Sequence, residues 1–218
     1  MTVAESGLVT RVLLVRHGAT VLTDEERFAG STDVELSDAG REQARRLAER
    51  LSSERFAAIY ASPLRRARDT AAILAKPHPA WLAPIARDGL REIAHGRWEG
   101  LTRHEVVARF GDEIEKWESD PFRFAPVGGE TGRSVLERAR PVLREIVGAH
   151  AGATALVVAH KATIRLLLCD ALGIDPRGYR DKLAQLPCCL NVIDFRGEGR
   201  PRLELLNDVS HYARYNGV

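Results

Sequence analysis

The sequence contains little cysteine, little methionine and no long hydrophobic segment. Its 218 residues include three cysteines and one methionine. Cys188 and Cys189 are adjacent, and Cys169 is the third cysteine. An odd number of cysteines does not fit a disulfide framework, and their spacing does not fit a zinc site. No apolar run approaches the ~20 residues of a membrane span, and residues 1–7 lack the order of a signal peptide. These absences predict a cytoplasmic protein without a membrane partner.

A surplus of one charge sign is also missing. Lys and Arg together number 32 and Asp and Glu 30, which gives a net charge of +2. A nucleic-acid surface normally requires a basic excess, so we expect no nucleic-acid partner. What the chain does have is arginine, because four of the basic residues are lysine and 28 are arginine. Guanidinium groups bind planar oxyanions through two parallel hydrogen bonds, which leaves room for a local anion pocket.

Short apolar runs alternate with amphipathic segments along the chain. This alternation predicts an α/β three-layer sandwich, in which helices flank a mostly parallel central sheet and a final hairpin adds an antiparallel edge. We expect one domain over residues 1–218, with an insertion at about 91–133 over one end of the sheet. The predicted strands are 10–15, 56–62 and 154–160, followed by a hairpin from residue 188 to 208. The first predicted helix is 37–53, capped by Ser37, and the second has Pro63 at its first position. Two short helices are expected near 103–111 and 112–120. The last two are 134–150, which Pro141 kinks or divides, and 161–172, which Gly173 ends.

Cationic residues follow three of these strands. The first strand ends in Arg16, His17 and Gly18, the second runs into a helix that carries Arg65 and Arg66, and the third ends in His160. In open α/β sheets ligands bind beyond the carboxyl ends of the strands. If the strands are parallel, these residues meet at one rim beside helix N-termini, and together they predict an anion site.

Of these residues, His17 is suited to chemistry as well as binding. Neighbouring cations disfavour a protonated imidazole, so we expect His17 to be neutral at neutral pH. A neutral ring has a free nitrogen that can attack phosphorus, while the arginines and His160 stabilise charge on the transferred group.

Several motifs together resemble the histidine phosphatase superfamily, which is also called the phosphoglycerate mutase-like family. They extend over roughly residues 10–212. "LLVRHGAT" is similar to the RHG signature of that family, and "ASPLRRARDTA" to its second arginine element, which selects Arg66 rather than Arg65. The other matching stretches are "FAGSTDVELSDAGREQA", "LREIAHGRWEG", "VGGET" and "VVAHKATIR".

The resemblance implies a phosphatase that hydrolyses phosphate monoesters in two steps without a metal or cofactor. His17 would become phosphorylated, Glu92 would protonate the leaving alcohol and then activate water, and Arg16, Arg66 and His160 would hold the phosphoryl oxygens. The implied partner is a small-molecule phosphate ester. The residues implied to bind substrate are Arg16, Gly18, Thr23, Arg66 and Lys161.

Some positions depart from the family pattern. Leu22 and Thr23 replace a frequent Trp-Asn pair, and the Thr23 hydroxyl is the expected substitute for the amide. Lys161 replaces the usual glycine after the second histidine, where it either favours multiply anionic substrates or extends into water. His95 and His211 are further residues that can approach the site.

Two other functions stay open from the sequence. The first is a cofactor-dependent phosphoglycerate mutase, although the short chain and the "VGGET" loop favour hydrolysis. The second is a non-catalytic phosphate-binding module, which the presence of all five expected catalytic residues disfavours. A homodimer also stays open.

Overall fold

A computed structural model of the protein describes residues 8–197 and 200–213 and contains a six-stranded mixed sheet. The strands lie in the order β3-β2-β4-β1-β5-β6. Strands β1 to β4 are mutually parallel where they pair, whereas β5 is antiparallel to both β1 and β6. The predicted parallel sheet with an antiparallel hairpin at one edge is therefore confirmed. The strands are β1 (Thr10–Arg16), β2 (Phe56–Ala61), β3 (Ile85–Ala86), β4 (Thr154–Ala159), β5 (Leu190–Arg196) and β6 (Arg200–Asp208).

Helices cover both faces of the sheet, because side chains alternate along the buried strands. In β1, Leu13 and Val15 pack into a cluster with Ala44 and Leu47, whereas Val12 and Leu14 pack into a second cluster on the opposite face. The first cluster includes residues of α2 and α3, and the second includes residues of α5 and α6. The helices are α1 (Val21–Asp24), α2 (Asp38–Arg50), α3 (Arg65–Ala75), α4 (Arg103–Ser119), α5 (Gly132–Ala149), α6 (Lys161–Leu172) and α7 (Tyr179–Lys182).

Helix ends agree with the sequence at some positions and not at others. The Ser37 hydroxyl accepts from the Gly40 N–H and caps α2, and Gly173 ends α6 in the left-handed conformation at φ 66°, both as predicted. The expected placement of Pro63 is wrong, because α3 begins at Arg65 and Leu64 is its N-cap. Pro141 does not divide α5, which continues through it.

The segment between residues 91 and 131 forms a layer with its own small core. Helix α4 contains a break at Phe110, where φ is −141°, so the two short helices expected here are joined across a kink. Trp98, Trp117 and Phe28 pack edge to face or tilted, with ring centroids 5.5–5.8 Å apart. Phe28 belongs to the loop after β1, so these rings tie the segment to the carboxyl end of β1. No helix in the described ranges is both long enough and apolar enough to cross a membrane.

Two glycines let the end of β1 approach the N-terminus of α2. A Cβ on Gly18 would overlap the Gly40 carbonyl, and one on Gly40 would lie 2.7 Å from the Ala19 nitrogen. In both cases the atoms met are backbone atoms, which cannot move aside as a flexible side chain would. The chain beyond His17 is therefore held against α2 by a contact that only glycine permits.

We expect Gly40→Ala to lower the free energy of unfolding by about 1–3 kcal/mol, because the new methyl group meets rigid backbone. Gly148→Ala is the matched control, since Gly148 also lies in a helix but has open space around its Cβ position. The control should be neutral or stabilising by up to about 1 kcal/mol. Urea denaturation measures both values, and equal effects of the two changes would contradict the close-approach argument.

Candidate active site

A cavity of about 570 Å³ opens at the carboxyl ends of β1 and β4. Six residues expected from the sequence reach its wall, namely Arg16, His17, Thr23, Arg66, Glu92 and Lys161. His95 and Trp117 of the 91–131 segment complete one side. The other lining residues are Leu22, Glu26, Arg27, Phe28, Ala29, Gly30, Arg103, Ala162, Arg165, Tyr179, Arg180 and Leu186.

His17 lies at the centre of this wall, and its hydrogen bonds define its tautomer. Its Nδ1–H donates to the Gly18 carbonyl at 2.7 Å. Its Nε2 accepts the Arg66 Nε–H at 3.3 Å and so carries the lone pair. Burial, together with the positive charges of Arg66 and Arg16, lowers the pKa of His17 well below the ordinary histidine value. The ring is therefore neutral at neutral pH, with its Nε2 unprotonated.

Arg66 is fully buried and is held at three points. Its Nη1 and Nη2 donate to the carbonyls of Thr32 and Gly30, both at 2.8 Å, while its Nε donates to His17. Neutral acceptors fix the guanidinium without neutralising it, so its positive charge stays available to a ligand. Burial is the main cause that lowers the pKa of Arg66, which is still protonated at any physiological pH.

Arg16 provides a second buried cation next to His17. Its side chain is nearly inaccessible, and its Nη1 donates to the Gln185 carbonyl at 2.7 Å. Its Nε has no acceptor among the described residues. A buried donor without an acceptor is unfavourable, so an anion that accepts from it would stabilise the site.

His160 lies behind His17 rather than on the cavity wall. The two rings are 5.1 Å apart between centroids, and His160 is fully buried. Its Nε2 is 2.7 Å from the Ser62 hydroxyl, and its Nδ1 has no partner in the described part of the chain. Burial and the neighbouring cations lower the pKa of His160 well below 6.5. The structure brings this residue to the site, but as a neighbour of His17 rather than on an open wall.

The Glu92 carboxylate joins the wall by capping α6. Its oxygens accept from the N–H groups of Ala162 and Thr163 at 3.3 Å and from that of Ile93 at 3.0 Å. A carboxylate at a helix N-terminus is stabilised by the donors and dipole there. The same contacts fix Glu92 beside Lys161, the first residue of α6.

The other expected residues differ in how they meet the cavity. Thr23 reaches it, and its hydroxyl is 3.0 Å from that of Thr20. Gly18 does not line the cavity. Its N–H donates to the Thr70 hydroxyl at 3.1 Å, and its lack of a side chain permits the close approach to α2. His95 lines it, with its ring against Phe28. His211 lies outside the lining set.

Four cavity arginines were missed by the sequence analysis. Arg27, Arg103, Arg165 and Arg180 all line the cavity, in addition to Arg16, Arg66 and Lys161. Arg165 lies four residues after Lys161, which places both on one face of α6, and that spacing was a usable signal. Arg180 gave none, because nothing in the sequence places α7 against α6.

Glu99 organises the loop that holds Arg66. Its carboxylate accepts from the N–H and hydroxyl groups of Ser31 and Thr32 and from the His95 N–H. Burial opposes its charge, but the hydrogen bonds from Thr32, Ser31 and His95 outweigh burial and hold the pKa of this carboxyl below its usual value. The Thr32 carbonyl that binds Arg66 is therefore positioned by Glu99.

Comparison with known proteins shows which family the chain resembles. The model of the histidine phosphatase superfamily, branch 1, matches residues 12–209. Phosphoserine phosphatase 1 of Hydrogenobacter thermophilus is 34% identical over 167 residues, which cover 77% of this chain and 78% of that protein. A 2,3-bisphosphoglycerate-dependent phosphoglycerate mutase of Gloeobacter violaceus is 33% identical over 169 residues, or 76% and 77% of the two chains.

A structural relative gives the same result. The structure of a mycobacterial glucosyl-3-phosphoglycerate phosphatase complexed with VO3 superimposes with a TM-score of 0.82 at 29% identity, covering 90% of this chain and 98% of that one. Some other curated relatives are longer, and the chain spans 38% to 56% of their length.

The chain therefore belongs to the histidine phosphatase superfamily. Its phosphatase relatives further identify it as a phosphoric monoester hydrolase of the histidine phosphatase type. The family and the fold class inferred from the sequence motifs are confirmed.

The tautomer of His17 is testable by NMR. An ordinary histidine with a pKa near 6.5 is mostly protonated at pH 6, whereas His17 should stay neutral because its pKa is lowered. Long-range nitrogen–proton spectra between pH 8 and pH 5.5 should show Nδ1 protonated and Nε2 unprotonated throughout. A titration midpoint at or above 6.5 would contradict the assignment. The exposed His104 gives a reference signal in the same spectra.

We expect Glu99→Gln to lower kcat/KM about 10- to 100-fold, because one amide oxygen cannot accept all the donors that two carboxylate oxygens accept. The loss should exceed what the change in thermal stability explains, since the substitution displaces Arg66. Glu115→Gln, an exposed change in α4, is the control and should have wild-type kinetics. Wild-type kinetics in Glu99→Gln would show that Arg66 is positioned without it.

Proposed function

We propose that this phosphatase works through a covalent phosphohistidine at Nε2 of His17, with Glu92 as the proton donor and acceptor. One observation carries the proposal: a buried, neutral imidazole with an unprotonated Nε2 lies beside two guanidinium groups that form no salt bridge with any carboxylate of the described residues. A cationic cradle around a neutral nucleophile fits a phosphate monoester, because the guanidinium groups bind the dianion while they and burial disfavour a protonated ring.

In the first step the His17 Nε2 attacks phosphorus, and the bond from phosphorus to the ester oxygen breaks. The dianion of the bound ester disfavours a second negative charge beside it, so Glu92 enters this step as the carboxylic acid. It gives its proton to the leaving oxygen, and the product is a neutral alcohol. Attack leaves a positive ring whose Nδ1–H still donates to the Gly18 carbonyl. Arg66 and Arg16 donate to the phosphoryl oxygens, and the phosphoryl group takes over the Arg66 Nε–H from Nε2.

In the second step the Glu92 carboxylate accepts a proton from water as the water oxygen attacks phosphorus. The bond from phosphorus to Nε2 breaks, its electron pair returns to the imidazole, and inorganic phosphate leaves. His160 packs against the His17 ring on the side away from the cavity and so holds the ring in position during both steps. The Thr23 hydroxyl and the Lys161 ammonium face the bound ester from the rim.

The cellular setting and domain count belong to the same proposal. The three thiols Cys169, Cys188 and Cys189 are free and buried, which suits a reducing compartment such as the cytoplasm. Burial raises the pKa of Cys169 and of Cys189 to about 11, so these thiols are unreactive. The chain would act as one domain, with the 91–131 segment as one wall of the active site.

The intermediate can be trapped with a radiolabelled phosphate ester. Wild-type protein quenched during turnover should carry label that is stable in alkali and lost in acid, as a phosphohistidine is. His17→Ala should carry no label and should hydrolyse p-nitrophenyl phosphate about 10³-fold more slowly or worse. His104→Ala is the matched control, since it removes an exposed imidazole that does not line the cavity. Label that persists in His17→Ala would overturn the assignment of the nucleophile.

The same assay tests Glu92. In Glu92→Gln the rate should fall about 10²- to 10⁴-fold with an alkyl phosphate, because a poor leaving group requires the proton. Formation of the phosphoenzyme should fall much less with p-nitrophenyl phosphate, whose leaving group needs no acid. Equal losses on both esters would assign the proton to another group.

A further inference from the structure

The cavity holds more positive charge than one phosphoryl group requires. Seven basic side chains line it, against the two carboxylates of Glu26 and Glu92. Arg27 pairs with Glu25 and Glu105, and Arg103 pairs with Glu118. Within residues 8–197 and 200–213, the other five make no salt bridge: Arg16, Arg66, Lys161, Arg165 and Arg180.

These five cations divide into two groups. Arg16 and Arg66 flank His17 and belong to the phosphoryl site described above. Lys161 and Arg165 lie one turn apart on α6, and Arg180 comes from α7, which packs against α6. The second group therefore forms its own positive patch beside the first, on two helices that do not position His17.

The second group is fixed rather than free on the surface. The Arg165 Nε donates to the Leu183 carbonyl. The Arg180 guanidinium lies 3.6 Å from the ring centroid of Trp117, and both arginines are partly buried. Neither contact neutralises a charge. A site that orders two guanidinium groups in this way is preorganised for an anion.

The charges in this group also repel one another. Lys161 is exposed at the cavity rim, but partial desolvation of its side chain lowers its pKa to about 8, and the positive charges of Arg16, Arg165 and Arg180 add to this effect, while Glu92 opposes it. Burial and the charge of Arg16 likewise lower the pKa of Arg165. Like charges held together without a counterion raise the free energy of the folded state, and a bound anion removes that repulsion.

We propose that Lys161, Arg165 and Arg180 form a second anion subsite, so that the preferred substrates are phosphate monoesters bearing a second anionic group on a short chain. This inference rests on the proposed function, because the phosphoryl group must occupy the site at His17. A carboxylate or a second phosphate satisfies the same chemistry. The sequence pattern left two roles open for Lys161, and the structure places it exposed at the rim of the cavity; this proposal assigns it to substrate.

Two matched pairs of esters test the subsite. The first is 3-phosphoglycerate and glycerol 3-phosphate, which differ by a carboxylate. The second is propane-1,3-diol bisphosphate and 3-hydroxypropyl phosphate, which differ by a phosphate. Wild-type kcat/KM should be about tenfold or more higher for the doubly anionic member of at least one pair, and the pair that shows it identifies the anion. Ratios near one in both pairs would overturn the subsite.

Variants then assign the preference to residues. The double variant Arg165→Gln/Arg180→Gln should lower the preferred ratio at least about fivefold. Arg144→Gln is the control, because it removes an exposed charge of α5 outside the cavity and should leave the ratio unchanged. A folded double variant with the wild-type ratio would overturn the proposal, and so would an equal drop in the control.

A second measurement does not depend on how the double variant folds. The charged groups that act on Lys161 are Arg16, Arg165, Arg180 and Glu92. Tyr179 acts on Arg165, and burial raises the pKa of Tyr179 beyond the range of the test. Between pH 7.5 and 9 the KM for the doubly anionic substrate should rise about threefold or more as Lys161 loses its proton. Lys161→Arg should remove this rise. The same rise in Lys161→Arg would overturn the role of Lys161.

Hydrolysis of p-nitrophenyl phosphate separates the two possible failures. If the enzyme hydrolyses this ester but shows ratios near one in both pairs, the second subsite is wrong and the proposed function stands. If the enzyme hydrolyses none of the esters, the proposed function fails, and the subsite fails with it.

Discussion

The structure depends on keeping two buried guanidinium groups beside one neutral imidazole. Buried cations without counterions are unfavourable, and a salt bridge would be the simplest remedy. The protein uses carbonyl oxygens instead, those of Gly30 and Thr32 for Arg66 and that of Gln185 for Arg16. Carbonyls accept from several of the N–H groups and leave the positive charge intact, while the Arg16 Nε–H has no acceptor among the described residues. An anionic substrate is then the group that completes the electrostatics of the site.

This requirement explains why distant parts of the chain meet. A loop carbonyl binds a guanidinium only if the loop itself is ordered. Glu99, which belongs to the segment after β3, orders residues 31 and 32 through five hydrogen bonds. The edge-to-face packing of Phe28 with Trp117 joins the same two regions. The 91–131 segment therefore supports Arg66 as well as forming one cavity wall.

The sequence predicted the parts of the fold and site that local pattern controls. Buried strands are short and apolar, and parallel strands place their carboxyl ends at one edge, so residues 16, 17, 66 and 160 were expected to meet, and they do. What the sequence did not predict depended on contacts between segments distant in sequence. The Gly18 N–H donates to the Thr70 hydroxyl, a contact the sequence did not indicate, and the assignment of Gly18 to substrate stays a prediction. Arg180 was missed because its place follows from the packing of α7, and no periodicity encodes that packing.

The same electrostatics explain why a backbone carbonyl, rather than a carboxylate, accepts from Nδ1 of His17. A carboxylate on Nδ1 would stabilise the imidazolium, as in hydrolases whose histidine acts as a general base. A histidine that must attack phosphorus needs the opposite balance, since protonation removes its lone pair. The Gly18 carbonyl fixes the tautomer as firmly as a carboxylate would but carries no net charge, so it leaves the lowered pKa of His17 largely in place. The Gly18 carbonyl thus leaves Nε2 as the nitrogen of His17 without a proton, while burial and the two arginines keep Nε2 unprotonated.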